Sequence, residues 1–191
     1  MREKKIKFLK YPFFIILILV VGCTNQLNYN DDDIAAIVNG EEITIGELRF
    51  LYADEQVLDM IEGTVKFRLV EQEAKRMNLD VTDEINQEIE GRQDLPPKNA
   101  EDAIAKSTRE FAVRQAEKFG MKPEVYYRKY VAVTAEQGSY VNAYLEKKLG
   151  VPEEREDKIK AYTSKANDLL DDLVEENKDK IKIRIKKKPT E

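Results

Sequence analysis

The chain has 191 residues, with 32 Lys and Arg against 37 Asp and Glu, a formal net charge of −5, one cysteine and no histidine. That composition withholds the groups needed for Ser-His-Asp and Cys-His nucleophile systems, histidine general bases, ordinary zinc sites and structural disulfides. Carboxylate-only chemistry survives, since retaining and inverting hydrolases need just two placed acids, yet Glu71, Glu73, Asp83, Glu84, Glu153 and Glu154 fall at helix starts and on polar faces, the pattern of caps and solvated surfaces.

The chain opens with Arg2, Lys4, Lys5, Lys7 and Lys10, followed by an apolar run of nine residues from Phe13 to Val21 and then Gly22-Cys23. The run is shorter than the ~20 residues that span a bilayer and has the length of a signal-peptide core. Val20-Val21-Gly22-Cys23 resembles the lipobox of bacterial lipoprotein precursors, which implies a signal peptide over residues 1–22, lipidation of Cys23 and a mature chain beginning there. An ordinary secretory signal or an uncleaved membrane stub would not need a cysteine directly after a small residue at the end of the apolar core. Loss of Met1 to Gly22, with five basic residues and one acid, leaves 169 residues at a net charge of −9. That is enough for one domain with a core and too acidic for a general nucleic-acid binder. Thr24 to Asp33 is polar and aperiodic; residues 23–33 read as a tether reaching roughly 15–20 Å, with the folded part, residues 34–191, beginning near Ile34.

Asn39-Gly40 lies between two short apolar segments, Ile34 to Val38 and Ile43-Thr44, which predicts a β-hairpin. Thr44-Ile45-Gly46-Glu47 has capping-box spacing, with Thr44 accepting from the first turn and Glu47 reaching back, and the helix it starts carries Leu48, Leu51 and Tyr52 inward. Ile61, Val65, Leu69, Val70, Ala74 and Met77 predict a second helix ending at Met77, with Asn78 suited to the left-handed turn after it. Thr82-Asp83-Glu84 predicts the capped start of a third, carrying Ile85 and Ile89 and broken by Leu95-Pro96-Pro97. Ala100 to Phe119 reads as a fourth, with Ile104 and Phe111 on its apolar face. Pro123 opens a fifth that runs to Leu149, with a bend expected at Gly138-Ser139.

Pro152 is placed to start a long amphipathic helix bearing Ile159, Tyr162, Ala166, Leu169 and Leu173. Ile181 to Lys186 then alternates with period two and predicts a half-buried strand. The basic ending would also suit anionic lipid head groups, but the isoleucines need cover and a lone hairpin needs a third strand. The expected fold is mostly α: a hairpin and helical lobe over 34–149, then a closing helix and C-terminal strand over 152–188 that completes a small sheet with the N-terminal hairpin.

Ile37 to Thr44 with Glu47-Leu48, then Leu69 to Leu79 with Val81-Thr82-Asp83-Glu84-Ile85, then Gly120 to Tyr127, follow one another in the order and spacing of the N-terminal chaperone domain of SurA/PrsA-type extracytoplasmic foldases. The chain resembles that domain from Ile34 to Leu149, and its last helix and strand are similar to the segment that returns to close it. In such foldases, parvulin-type prolyl isomerase domains lie where this chain has only Gly150-Val151-Pro152, and the histidines of the parvulin site have no counterpart. The resemblance therefore implies chaperone function without isomerase activity; Asn78 stands where the family usually has glycine, and Leu95 to Asn99 departs from it.

The resulting expectation is a non-enzymatic lipoprotein, anchored through Cys23 on the outer face of the cell membrane or the periplasmic side of an outer membrane, that holds unfolded or exported polypeptides and needs no cofactor or metal. Tyr126, Tyr127, Tyr130, Tyr140, Tyr144, Phe111 and Phe119 are the candidate peptide-binding residues, against the alternative that each packs in the core with any hydroxyl at the rim. A second reading is an adaptor for one envelope partner; a carboxylate enzyme or minimal isomerase is a third. The sequence leaves pairing of two copies as a homodimer open.

Overall fold

A computed structural model describes residues 28–92, 94–153 and 155–186. Strands β1 (Ile34–Val38) and β2 (Glu41–Thr44) form the hairpin, followed by helices α1 (Ile45–Leu51), α2 (Ile61–Arg76), α3 (Thr82–Arg92), α4 (Ala103–Lys118), α5 (Pro123–Leu149) and α6 (Glu156–Glu176), a 3-10 turn (Lys178–Lys180) and strand β3 (Ile181–Ile183). The sheet has the order β2-β1-β3, antiparallel throughout, with Val38 opposite both Glu41 and Ile181. The chain is thus mostly helical, with a small sheet that joins its N- and C-terminal regions, as the alternating isoleucines and the hairpin together imply.

Local chemistry accounts for the boundaries. Asn39 and Gly40 both have positive φ, 50° and 88°, the conformation that a two-residue hairpin with the natural strand twist requires. Thr44 accepts from the Glu47 amide at 3.1 Å; the Glu47 carboxylate, expected to reach back to the cap, instead pairs with Arg68 of α2, tying two elements together. Asn78 turns with φ 54° just after Met77, the C-cap of α2.

Several expectations are corrected. Residues 29–33, expected within a tether, belong to the fold: Tyr29 packs on the main core, and the Asp33 and Asp31 carbonyls accept from the amides of Ile45 and Gly46 at the start of α1. Those amides have no partner inside their helix, so the preceding chain supplies one. At α3 the Asp80 carboxylate, not Thr82, accepts the first amide. Ile104 is 76% exposed, because only the second half of α4 packs. The last helix starts at Glu156 instead of Pro152.

The main core gathers Ala36, Val38 and Ile43 of the sheet, Leu48 of α1, Val65, Leu69 and Val70 of α2, Tyr144 of α5, Leu173 of α6 and Ile185 just beyond β3. Helix α5, roughly 40 Å long at 1.5 Å per residue, is the spine. Its second half lies on this core, and its first half, with Tyr126, Tyr127 and Val131, builds a separate cluster with α4.

A Cβ on Gly46 would stand 2.8 Å from the Asp31 carbonyl oxygen and 2.9 Å from the Asp31 Cβ. Gly46→Ala should therefore lose about 1–3 kcal/mol of stability by forcing that segment off α1. Gly138→Ala, where nothing lies within 4 Å, should gain about 0.5–1 kcal/mol from helix propensity. Urea unfolding midpoints of the two variants should move in opposite directions.

Candidate functional site

The second cluster is aromatic and is assembled by three helices. Tyr126 of α5 is fully buried, with ring centroids at 5.1 Å from Phe50 of α1, 5.9 Å from Tyr130, and 6.3 and 6.5 Å from Phe111 and Phe119 of α4. Edge and offset arrangements at these distances add to what burial alone contributes. The Tyr126 hydroxyl donates to the Phe50 carbonyl at 2.7 Å. Burial pushes its proton affinity far up, and that of the half-buried Tyr130 up as well. Periodicity gives α1 one inward face, that of Leu48, Leu51 and Tyr52, and so does not mark Phe50, which meets Phe119 at the end of α4 and Tyr126 of α5.

Beside the rings, the C-terminal end of α1 is closed by side chains from another part of the chain. Helix ends leave carbonyls without partners. Here the Arg49 carbonyl receives Gln115 Nε2 and Lys118 Nζ, both at 2.8 Å, and the Tyr52 carbonyl receives Gln115 Nε2 at 3.0 Å. Lys118 also meets the Asp54 carboxylate at 2.7 Å, Asp54 pairs with Arg49 at 3.2 Å, and Arg49 reaches Asp31 at 2.5 Å. Burial lowers the proton affinity of Lys118 against the opposing pull of Asp54. For Asp54, burial raises the affinity, and the hydrogen bonds from Arg49 and Lys118 overcome that, holding the carboxyl below its ordinary range.

The outer side of the aromatic cluster has a thin cover. Ile89 of α3 and Leu95 of the following loop pack against it, and Arg109 holds that loop through the Pro96 carbonyl at 2.6 Å. No residue of α3 is buried; Ile85 and Ile89 are half-buried. Such a segment, with few buried apolar contacts, sits at the low end of local stability.

The candidate aromatics are therefore divided. Phe111, Phe119, Tyr126, Tyr127 and Tyr130 come together in this cluster, whereas Tyr140 and Tyr144 belong to the main core. Tyr126, Tyr127 and Tyr144 are buried, as in the core-packing alternative: their rings fill the interior between helices, with the Tyr126 hydroxyl on a backbone carbonyl instead of at the rim. Phe111, Phe119, Tyr130 and Tyr140 remain half-buried. Tyr144 also borders a polar cavity of about 480 Å³ with Glu73, Arg76, Lys148, Glu176 and Lys180. Cys23 lies outside the described residues. Among the described residues no group of acids has the arrangement of a metal site, and no helix is long and apolar enough to cross a membrane. Comparison with family models, with curated proteins and with solved structures finds no match to this chain.

Gln115→Leu keeps the volume and removes the amide, leaving the Tyr52 carbonyl without its closest donor; it should cost about 1–3 kcal/mol in urea unfolding. Because the Asp54 proton affinity is depressed in the folded state, its contribution is complete above the ordinary carboxyl value of 3.8 and is lost as pH falls through the folded value. Asp54→Asn should accordingly flatten the acid limb of the stability curve below about pH 4, measured by urea midpoints across a pH series.

Proposed function

We propose that this protein is a lipid-anchored extracytoplasmic chaperone-like module that binds unfolded or newly exported polypeptides without isomerase activity. The observation that carries the reading is the aromatic cluster of α4 and α5 beneath a cover, α3 and residues 94–102, that buries no side chain of α3 itself. Lifting that cover would expose Phe111 and Tyr130 along a concave seam, a surface that receives extended apolar segments of many sequences. The lipobox-like Val20-Val21-Gly22-Cys23 supports the location, and the short junction from Gly150 to Arg155 between α5 and α6 leaves no length there for an inserted isomerase domain. Membership of the SurA/PrsA-type family is part of this proposal and rests on the three sequence blocks and the sheet that closes the domain.

A dedicated adaptor is the second reading, favoured by Val151 and Ile159, 72% and 47% exposed on the approach to α6 and in its first turn. A sequence-tolerant chaperone binds many unfolded chains weakly, whereas an adaptor binds one partner.

Residues 24–191, added to two unrelated denatured proteins as they refold, should suppress light scattering from both. Ile89→Ala should strengthen the effect by loosening the cover, and Phe111→Ser with Tyr130→Ser should weaken it. A folded protein that suppresses neither aggregation would rule the chaperone reading out. In cells, Cys23→Ser should abolish lipid labelling and release the protein from membranes; labelling that persists would rule out the anchor.

A further inference from the structure

Six basic residues, Lys180, Lys182, Arg184, Lys186, Lys187 and Lys188, fall within nine positions that contain no acid, in a chain whose net charge is negative. Strand geometry sorts the first part of this run. Ile181 and Ile183 are half-buried and Ile185, just past the end of β3, is buried, while Lys182, Arg184 and Lys186 are exposed, so the three cations alternate with covered isoleucines within at most about 13 Å of chain. None of the three pairs with a carboxylate among the described residues. Asp179 shares a shallow cavity with Lys180 and Lys182, Asp59 and Glu62 share one with Lys186, and Glu42 lies across the sheet beyond Ile37. Charged residues on an edge strand also deter strand-to-strand aggregation, but that purpose does not require a run of one sign that continues past the sheet.

The position of these cations in the fold gives them a direction. Strand β3 is antiparallel to β1, and the amides of Arg184 and Ile185 donate to the Ala35 carbonyl at 2.8 and 3.2 Å. The chain therefore leaves the sheet where it entered. Tyr29 is packed on the core, so only about five residues, at most ~18 Å when extended, separate Cys23 from the folded body. An acyl anchor at Cys23 would hold the start of β1, and with it the end of β3, close to the bilayer.

We infer that the exposed cations Lys182, Arg184 and Lys186 dock on the anionic head groups of the membrane that carries the anchor, fixing the domain with this end of its sheet toward the lipid. This rests on the lipoprotein reading. The arrangement has the two signals that stable peripheral attachment uses, acyl chains and a basic patch. It turns the Asn39-Gly40 end of the hairpin away from the surface.

The test uses residues 24–191, which include every described residue and lack the acyl site, in co-sedimentation with vesicles of phosphatidylcholine alone or containing phosphatidylglycerol. Binding should be confined to the vesicles with phosphatidylglycerol, weaken at least about fivefold when salt is raised severalfold, and weaken similarly in Lys182→Gln/Arg184→Gln/Lys186→Gln, whose folding is checked by circular dichroism. Equal binding to both vesicles, no binding to either, or an unaltered triple variant would overturn the inference, as would salt-sensitive binding to soluble inorganic polyphosphate without binding to vesicles. Lipid labelling of the full chain and of its Cys23→Ser variant separates the two readings. Labelling that requires Cys23 alongside failed vesicle binding sinks only the docking surface, whereas labelling independent of Cys23 sinks the anchor itself.

Discussion

The closure of the C-terminal end of α1 is the interaction on which the arrangement of the molecule depends. A seven-residue helix is too short to be stable alone, and its last carbonyls point out of the domain that contains its hydrophobic face. Gln115, Lys118 and Tyr126 satisfy them from α4 and α5. The same contact sets Phe50 among the aromatic rings. Two cores that share no fully buried residue are thereby held in register by a cluster of directional bonds, with α5 running through both. Lys118 shows the cost and the compensation: its side chain is only 15% exposed, and the Asp54 carboxylate and two carbonyls stand in for lost water.

Around that joint, rigidity is uneven. The sheet, α1 and α2 are tied by Arg68, which pairs with Glu41, Glu47 and Glu71, and by Gln72, which bonds the Val38 carbonyl. Among the described residues α3 carries no comparable network and no buried side chain. A chaperone surface has to be apolar enough to hold an unfolded chain, yet covered enough to remain soluble alone. An aromatic cluster under a helix that buries none of its own side chains would meet both demands, and that contrast in burial within one domain is what links the packing to the proposed function.

The sheet has a corresponding role at the other side. By bringing β3 back beside β1, it puts the first and last described parts of the chain together at one end of the sheet, the arrangement on which the inferred docking surface rests. Their proximity follows from strand register, in which Ala36 opposes Ile183.

By itself, the sequence determined the elements whose signals are local. Asn39-Gly40 requires a hairpin turn, Thr44 a helix start, Asn78 a left-handed exit from α2, and the alternating isoleucines a half-buried strand, which ends at Ile183 and not at Lys186 as the alternation alone implies; each of these is a matter of backbone conformation or of one repeating face. Tertiary structure decided what those faces meet. Periodicity places Ile104 on the apolar side of α4 but cannot tell that it stays exposed among the described residues, and it gives Phe50 no role because it cannot see the lobe that covers it. Tyr126 and Tyr130, one turn apart on one stripe, differ in burial because α1 reaches only the first. Capping followed the same rule: the Asp33 and Asp31 carbonyls and Gln115 satisfy the ends of α1 from positions that no local motif marks, since an unpaired amide or carbonyl needs a partner in space and not a neighbour in sequence.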